Sequence, residues 1–259
     1  QRAVAALLSP SDAALLSDPN NTLGIEYCRA LLRVGAAPAL FTIPRTGAAH
    51  DVTPENAGGY SASAIRHLLA EGRRADALSR MVPAMRAVYE AEESAGRAPV
   101  FAAACERAIL ARLRSMTPAE FDALDTGHEG VGQRLYNASR NAATLDAVLD
   151  NAKTKRYAYA RLRRMVLWAY LGLTPAKLPA SVPYLRILAA NETGRALLGR
   201  MRKTARLPVI TKPAAIRSLF PDAQRLFETE SRAADLYALA YPELTEACGS
   251  LWRQNPVMP

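Results

Sequence analysis

Residues 153–171 read KTKRYAYARLRRMVLWAYL, and the spacing inside that stretch decides the fold class. It predicts a helix over Lys155–Leu171 in which Leu162, Met165, Val166 and Ala169 recur at three and four, the stripe that a helix turns toward a core. Arg156, Arg163 and Arg164 recur at offsets of seven and eight and share the opposing face, with Tyr157 and Tyr159 beside them. Outward from here the pattern stays helical. Ala-, Leu- and Arg-rich segments with the same apolar period run from Ala75 to Glu93, Val100 to Leu113, Gly130 to Ser139 and Ala142 to Leu149. Thr117-Pro118-Ala119-Glu120 reads as a capping box. Prolines at 175, 179, 183, 208, 213 and 221 punctuate the later part, where Pro208-Val209-Ile210 reads as a brief strand or extended link.

Toward the N-terminus the pattern changes. Ser61 to Glu71 is helical, and Pro44 to Tyr60, rich in glycine and small polar residues, is a surface loop. Ala39-Leu40-Phe41-Thr42-Ile43 reads as a short buried strand. Before it, Thr22 to Arg33 reads as a helix with Gly35 as its C-cap, entered through a turn at Asp18-Pro19-Asn20-Asn21. A helix leading into a strand suggests the tail of an α/β layer, followed from Ala75 by a pattern that is nearly all helical.

The chain has 259 residues, half of them hydrophobic, enough for one or two domains with a real core. Cys28, Cys105 and Cys248 supply neither a disulfide framework nor a four-sulfur zinc site, which favours a reducing, cytoplasmic setting. The longest apolar run, Met165 to Leu173, is too short to span a bilayer, so no membrane role is expected. No basic and apolar leader follows Gln1, so neither a secretory signal nor a natural start is expected there.

With 33 Lys and Arg against 24 Asp and Glu the formal charge is +9, and the surplus is local. Between Asn151 and Arg217 fifteen basic residues face one acid, Glu192, a net of +14. Cations interleaved with tyrosines suit a polyanion with exposed bases, because they release counterions from phosphate while rings stack on bases. A solvated arginine-rich face explains the charge equally well.

Two short segments carry more specific signals. Ser61-Ala62-Ser63-Ala64-Ile65-Arg66 sets two hydroxyls at a helix N-terminus with an arginine three residues on, where amides, hydroxyls and guanidinium converge on phosphate. The plain alternative is an N-cap followed by a surface arginine. Pro19-Asn20-Asn21-Thr22-Leu23-Gly24 offers amides and carboxamides to a base or ribose, although Asn at a turn is commonly structural.

Taken in order, these patches resemble the bacterial tRNA(Met) cytidine acetate ligases, which are HxGH nucleotidyltransferase-like proteins. Asp18 to Tyr27 looks like that family's Pro-Asn-Asn helix entry, Arg45 through His50-Asp51 like its arginine loop, and Ser61 to Arg66 like its phosphate motif. Glu129-Gly130 is similar to its glutamate-glycine helix. Lys153 to Tyr157, Arg161 to Met165 and Pro183 to Leu188 match further stretches, so the resemblance covers about Gln1 to Pro213.

The resemblance implies a mostly α fold: the tail of a Rossmann-like α/β nucleotidyltransferase domain over 1–74, then a helical, basic, tRNA-binding domain over 75–259. It implies ATP, with or without Mg²⁺, used to convert acetate or a similar small acid to acetyl-adenylate, and acetyl transfer to N4 of the wobble cytidine of elongator tRNA(Met). Asn20 and Asn21 would contact the nucleotide and Arg45 its phosphate or ribose side, while Ser61, Ser63 and Arg66 would hold phosphates. Lys153, Lys155, Arg156, Arg163 and Arg164 would meet the tRNA. The HxGH loop itself is missing: none of His50, His67 and His128 is followed by Gly-His. The catalytic residues are therefore unassigned, and His50 beside Asp51 is either a site residue or a loop histidine. The expectation is a C-terminal portion, inactive alone, that partners an N-terminal HxGH fragment of the same protein. Non-catalytic alternatives are an RNA-binding helical module, a truncated paralogue, and a helical protein-interaction domain whose basic face is incidental.

Overall fold

The computed structural model describes residues 7–16, 19–43, 61–125, 127, 129–244 and 247–258. It divides into two compact units, Gln1–Gly59 and Tyr60–Pro259. Helix α3 and Ser61, placed before the 74/75 boundary in sequence, thus group with the second unit, where α3 (Ala62–Ala70) packs on α4 (Arg74–Ser79).

In the first unit, α1 (Pro10–Leu15) is capped by Ser9, whose hydroxyl accepts from the Asp12 amide. The following helix, α2 (Pro19–Val34), starts three residues earlier than the sequence suggests. Pro19 is suited to a first helical turn because its fixed φ fits and its missing N–H costs nothing there. Asn20 and Asn21 therefore sit on a helix rather than in a turn. Gly35 ends α2 at φ +64°, with Ala36 donating back to Leu31. Residues 36–43 belong to no strand, which corrects the buried strand expected at 39–43: Leu40, Phe41 and Ile43 are 63%, 91% and 94% exposed. An apolar, β-branched run becomes a buried strand only where a neighbour pairs its backbone and a layer covers its face, and no described residue does either.

The second unit is helical throughout its first half. Pro83, which lacks an N–H, splits the expected 75–93 helix into α4 and α5 (Pro83–Ser94). The central core is built by α6 (Glu106–Ser115), α7 (Pro118–Asp122), α8 (Val131–Asn141), α9 (Leu145–Ala152) and α10 (Tyr159–Leu171). Here α9 and α7 pack on α8, and α10 packs on α6. Leu113, Phe121, Leu135, Val148 and Leu162 are fully enclosed. Thr117 and Glu120 form the expected capping box at α7. A second, smaller core gathers Tyr184, Ile210, Ile216, Ala223 and Phe227. It lies among β1 (Leu185–Arg186), β2 (Val209–Ile210), α12 (Pro221–Ala238) and α13 (Ser250–Arg253), with α11 (Glu192–Thr204) between the two strands in sequence. The strands pair in parallel. The chain is thus mostly α, with one two-stranded sheet among the described residues. No helix among the described residues is long and apolar enough to cross a membrane.

Candidate nucleic-acid interface

The basic segment is a shaped knuckle between two helices. Helix α9 ends at Ala152, and the Arg134 guanidinium of α8 donates to the carbonyls of Ala152 at 2.7 Å and Asn151 at 3.0 Å, closing the helix end. Thr154 Oγ1 then accepts from the amides of Arg156 at 3.2 Å and Tyr157 at 3.1 Å. That hydroxyl turn competes with helix formation, so α10 begins at Tyr159 and not at Lys155. Arg156 consequently lies off the helix and does not share a helical face with Arg163 and Arg164. The apolar stripe stands as expected: Leu162, Met165, Val166 and Ala169 are all buried.

Arg161 does a different job from its neighbours. Its guanidinium forks onto Asp125 at 2.6 and 3.2 Å and reaches Glu129 at 3.0 Å. The two side chains of the fork are largely enclosed, 22% and 14% exposed. Hydrogen bonds from Arg161 hold the Asp125 carboxyl below its usual range, and Arg161 followed by Arg156 does the same for Glu129. The carboxylates in turn raise Arg161, which stays charged. At Gly127 an added Cβ would lie 2.6 Å from the Arg161 guanidinium, so a side chain there would push on the clasp. Tyr157 is buried below, donating its hydroxyl to the Glu129 carbonyl, with Arg156 5.9 Å and Arg161 5.6 Å from its ring centre. Arg156, exposed, also reaches Glu129 at 3.4 Å.

Tyr159 organises the other side. Its ring has Lys153 at 5.0 Å and Arg163 at 5.6 Å, and its hydroxyl bonds to Asp150, which raises the phenol pKa. Lys153, Lys155, Arg156, Arg163 and Arg164 are all exposed. The arrangement therefore presents cations, while the tyrosines hold those cations in place. Arg134, Arg161 and Tyr159 as positioning groups escape sequence inspection, because only the fold brings α8 and Asp125 to this segment.

The nucleotide-side residues are distributed. Ser61 caps α3, its Oγ accepting from the Ala64 amide at 3.1 Å, and Ser63 is exposed in the first turn. Arg66, exposed, lines an open groove of about 570 Å³ with Leu69, Met85, Val88 and Tyr89. Asn20 and Asn21 lie on α2 of the first unit, exposed. Arg45, His50, Asp51 and His128 fall outside the described residues. His67 pairs with Glu71 at 3.0 Å one turn on.

Residues 1–250 match the family described as HIGH Nucleotidyl Transferase. The chain belongs to that family. Among its relatives is a tRNA(Met) cytidine acetate ligase of Acetivibrio thermocellus, 32% identical over 94% of this chain and 61% of the relative. The ligase of the same name from Thermotoga petrophila is 29% identical over 90% of this chain and 59% of its own length. The crystal structure of Thermotoga maritima TmcAL in an apo form superposes with a TM-score of 0.87 at 25% identity, covering 96% of this chain and 62% of that one. A second structure of that protein, bound with alpha-thio ATP, gives 0.85 at 26% identity over 96% of this chain and 61% of its own. This HIGH nucleotidyl transferase chain thus spans about three fifths of the length of the relatives it matches.

Proposed function

We propose that the chain forms the tRNA-holding part, and one wall of the ATP site, of a ligase that acetylates N4 of the wobble cytidine of elongator tRNA(Met). The knuckle carries this reading. Five exposed cations stand on it, and Glu129 is the one carboxylate within ion-pair distance of any of them among the described residues. Such a surface neutralises several phosphates and releases their counterions. Relatives that bear the ligase name supply the substrate.

In this reading ATP is a substrate, with or without Mg²⁺. An oxygen of acetate, or of a similar small acid, attacks the α-phosphorus and the bond to pyrophosphate breaks. The N4 amine then attacks the acetyl carbon, AMP departs with the bridging oxygen, and N4 gives up a proton. Ser61, Ser63 and Arg66 of the second unit would hold phosphates and offset charge on the departing pyrophosphate, and for Asn20, Asn21 and Arg45 the nucleotide contact stays what the family resemblance implies. Residues 1–74 then represent the end of a Rossmann-like domain and 75–259 the helical RNA domain. An HxGH-bearing N-terminal half of the same protein would complete the site. The exposed Tyr27, Leu32, Phe41 and Ile43 of the first unit support such an additional half, since an α/β layer of it would cover them. Such chemistry belongs in the cytoplasm, with its tRNA and ATP.

The test has two arms. The chain titrated with an elongator tRNA(Met) transcript should bind with log affinity falling against log salt at a slope of about −4, for five cations on phosphate. Salt-independent or absent binding overturns the RNA reading. The polypeptide that joins this chain to an HxGH half, given labelled acetate and tRNA, should form acetylcytidine only with ATP. Tight tRNA binding without acetylation would instead favour a non-catalytic RNA-binding module.

A further inference from the structure

A second cationic feature lies away from the knuckle. Helix α11 places Arg195, Leu198, Gly199 and Arg202 at offsets of three, four and seven, on one face. That face walls a groove of about 440 Å³, closed on its other sides by Thr211, Lys212, Asn255, Pro256 and Met258. Arg195, Arg202, Lys212, Thr211 and Asn255 line it together with the apolar Leu198 and Met258. No carboxylate is among the described residues that line it. Arg202 and Lys212 are exposed.

Gly199 is the independent observation. A glycine inside a helix is unfavourable relative to alanine, because its backbone loses more freedom on folding. Its backbone is ordinary helix rather than the left-handed region, and an added Cβ would meet nothing within 4 Å. Neither packing nor conformation requires glycine here. What the missing side chain does is keep the helix backbone bare at the centre of the cationic wall, where a ligand can approach closely.

We infer that this groove is a second RNA-backbone site, seating phosphodiester groups between Arg202 and Lys212 and against the bare helix surface at Gly199. The inference rests on the proposed tRNA-binding function and extends it to a surface that the knuckle residues do not touch. Charge complementarity selects the occupant: with no carboxylate among the described lining residues, the exposed Arg202 and Lys212 beside apolar groups suit phosphate oxygens next to a sugar edge. Mass action then couples the two sites, since one tRNA held at both binds more tightly than at either.

The experiment titrates the full chain with an elongator tRNA(Met) transcript across a salt series. Gly199→Glu puts a carboxylate into the open space beside the cations, and should weaken binding about tenfold or more at low salt. The double variant Arg202→Ala, Lys212→Ala should flatten the salt slope by about 1.5, two phosphates' worth. Gly199→Ala puts a methyl group where the backbone is bare and should weaken binding, by less than Gly199→Glu does. Wild-type affinity and slope in both Gly199→Glu and the double variant, while Arg163→Ala with Arg164→Ala still flattens the slope, would overturn the groove alone. Absence of binding by the wild type would overturn the RNA reading beneath it. Helical circular dichroism identifies a misfolded Gly199→Glu, in which case the double variant decides.

Discussion

The two units of this chain contain similar apolar sequence and use it differently. In the second, Leu113, Phe121, Leu135 and Leu162 vanish from solvent into a helical core. In the first, no described residue is buried, and Leu32, Phe41 and Ile43 are more than four fifths exposed. The difference teaches that apolar periodicity specifies which face is to be covered, while burial depends on whether covering elements exist. A segment of some sixty residues is close to the lower limit for building a core of its own.

The largest expected effect lies in the second unit. Leu135→Ala should cost about 3 kcal/mol in urea unfolding, because it opens a cavity in a fully enclosed site. Arg161→Ala comes next, at about 2 kcal/mol, since it leaves the largely enclosed Asp125 carboxylate unpaired. That clasp also has a pH signature. The folded-state pKa of Asp125 is depressed, so its contribution is complete above the ordinary carboxylate value of about 4 and disappears as pH falls through the lower folded value. The stability gap between wild type and Asp125→Asn should therefore narrow below about pH 4; a gap constant down to pH 2 would show that charge is not what holds the clasp. Gly199→Ala should raise stability by about 0.5 to 1 kcal/mol, as expected for a helix interior with open space around it. Replacing Arg156, Arg163 and Arg164 by Ala together should leave stability within about 0.5 kcal/mol yet flatten the tRNA salt slope by about 2.5. Phe41→Ala, in the first unit, should change unfolding of this chain least of all. A cost near that of Leu135→Ala would abolish the contrast between the units.

Much of the second unit was legible because its signals are local. The stripe Leu162, Met165, Val166 and Ala169 announces its buried face by spacing alone, and the Thr117 to Glu120 box by residue type. Two boundaries were misplaced for equally local reasons. Thr154 takes amides that a helix from Lys155 would need, and Pro83 interrupts a continuous apolar period. The strand at 39–43 was misread because pairing is a property of neighbours. Of the basic residues, sequence singled out five exposed cations but not their supports: the grip of Arg161 on Asp125, thirty-six residues away, has no local signature. The glycine at 199 carried no message until the space around it was visible.

The clasps of Arg134 and Arg161 have a kinetic consequence. Arg134 holds the end of α9 to α8, and Arg161 holds the start of α10 to Asp125 and Glu129, so both flanks of the 153–157 turn are fixed. With both flanks held, encounter with an anionic surface should proceed in a single relaxation whose rate scales linearly with protein concentration.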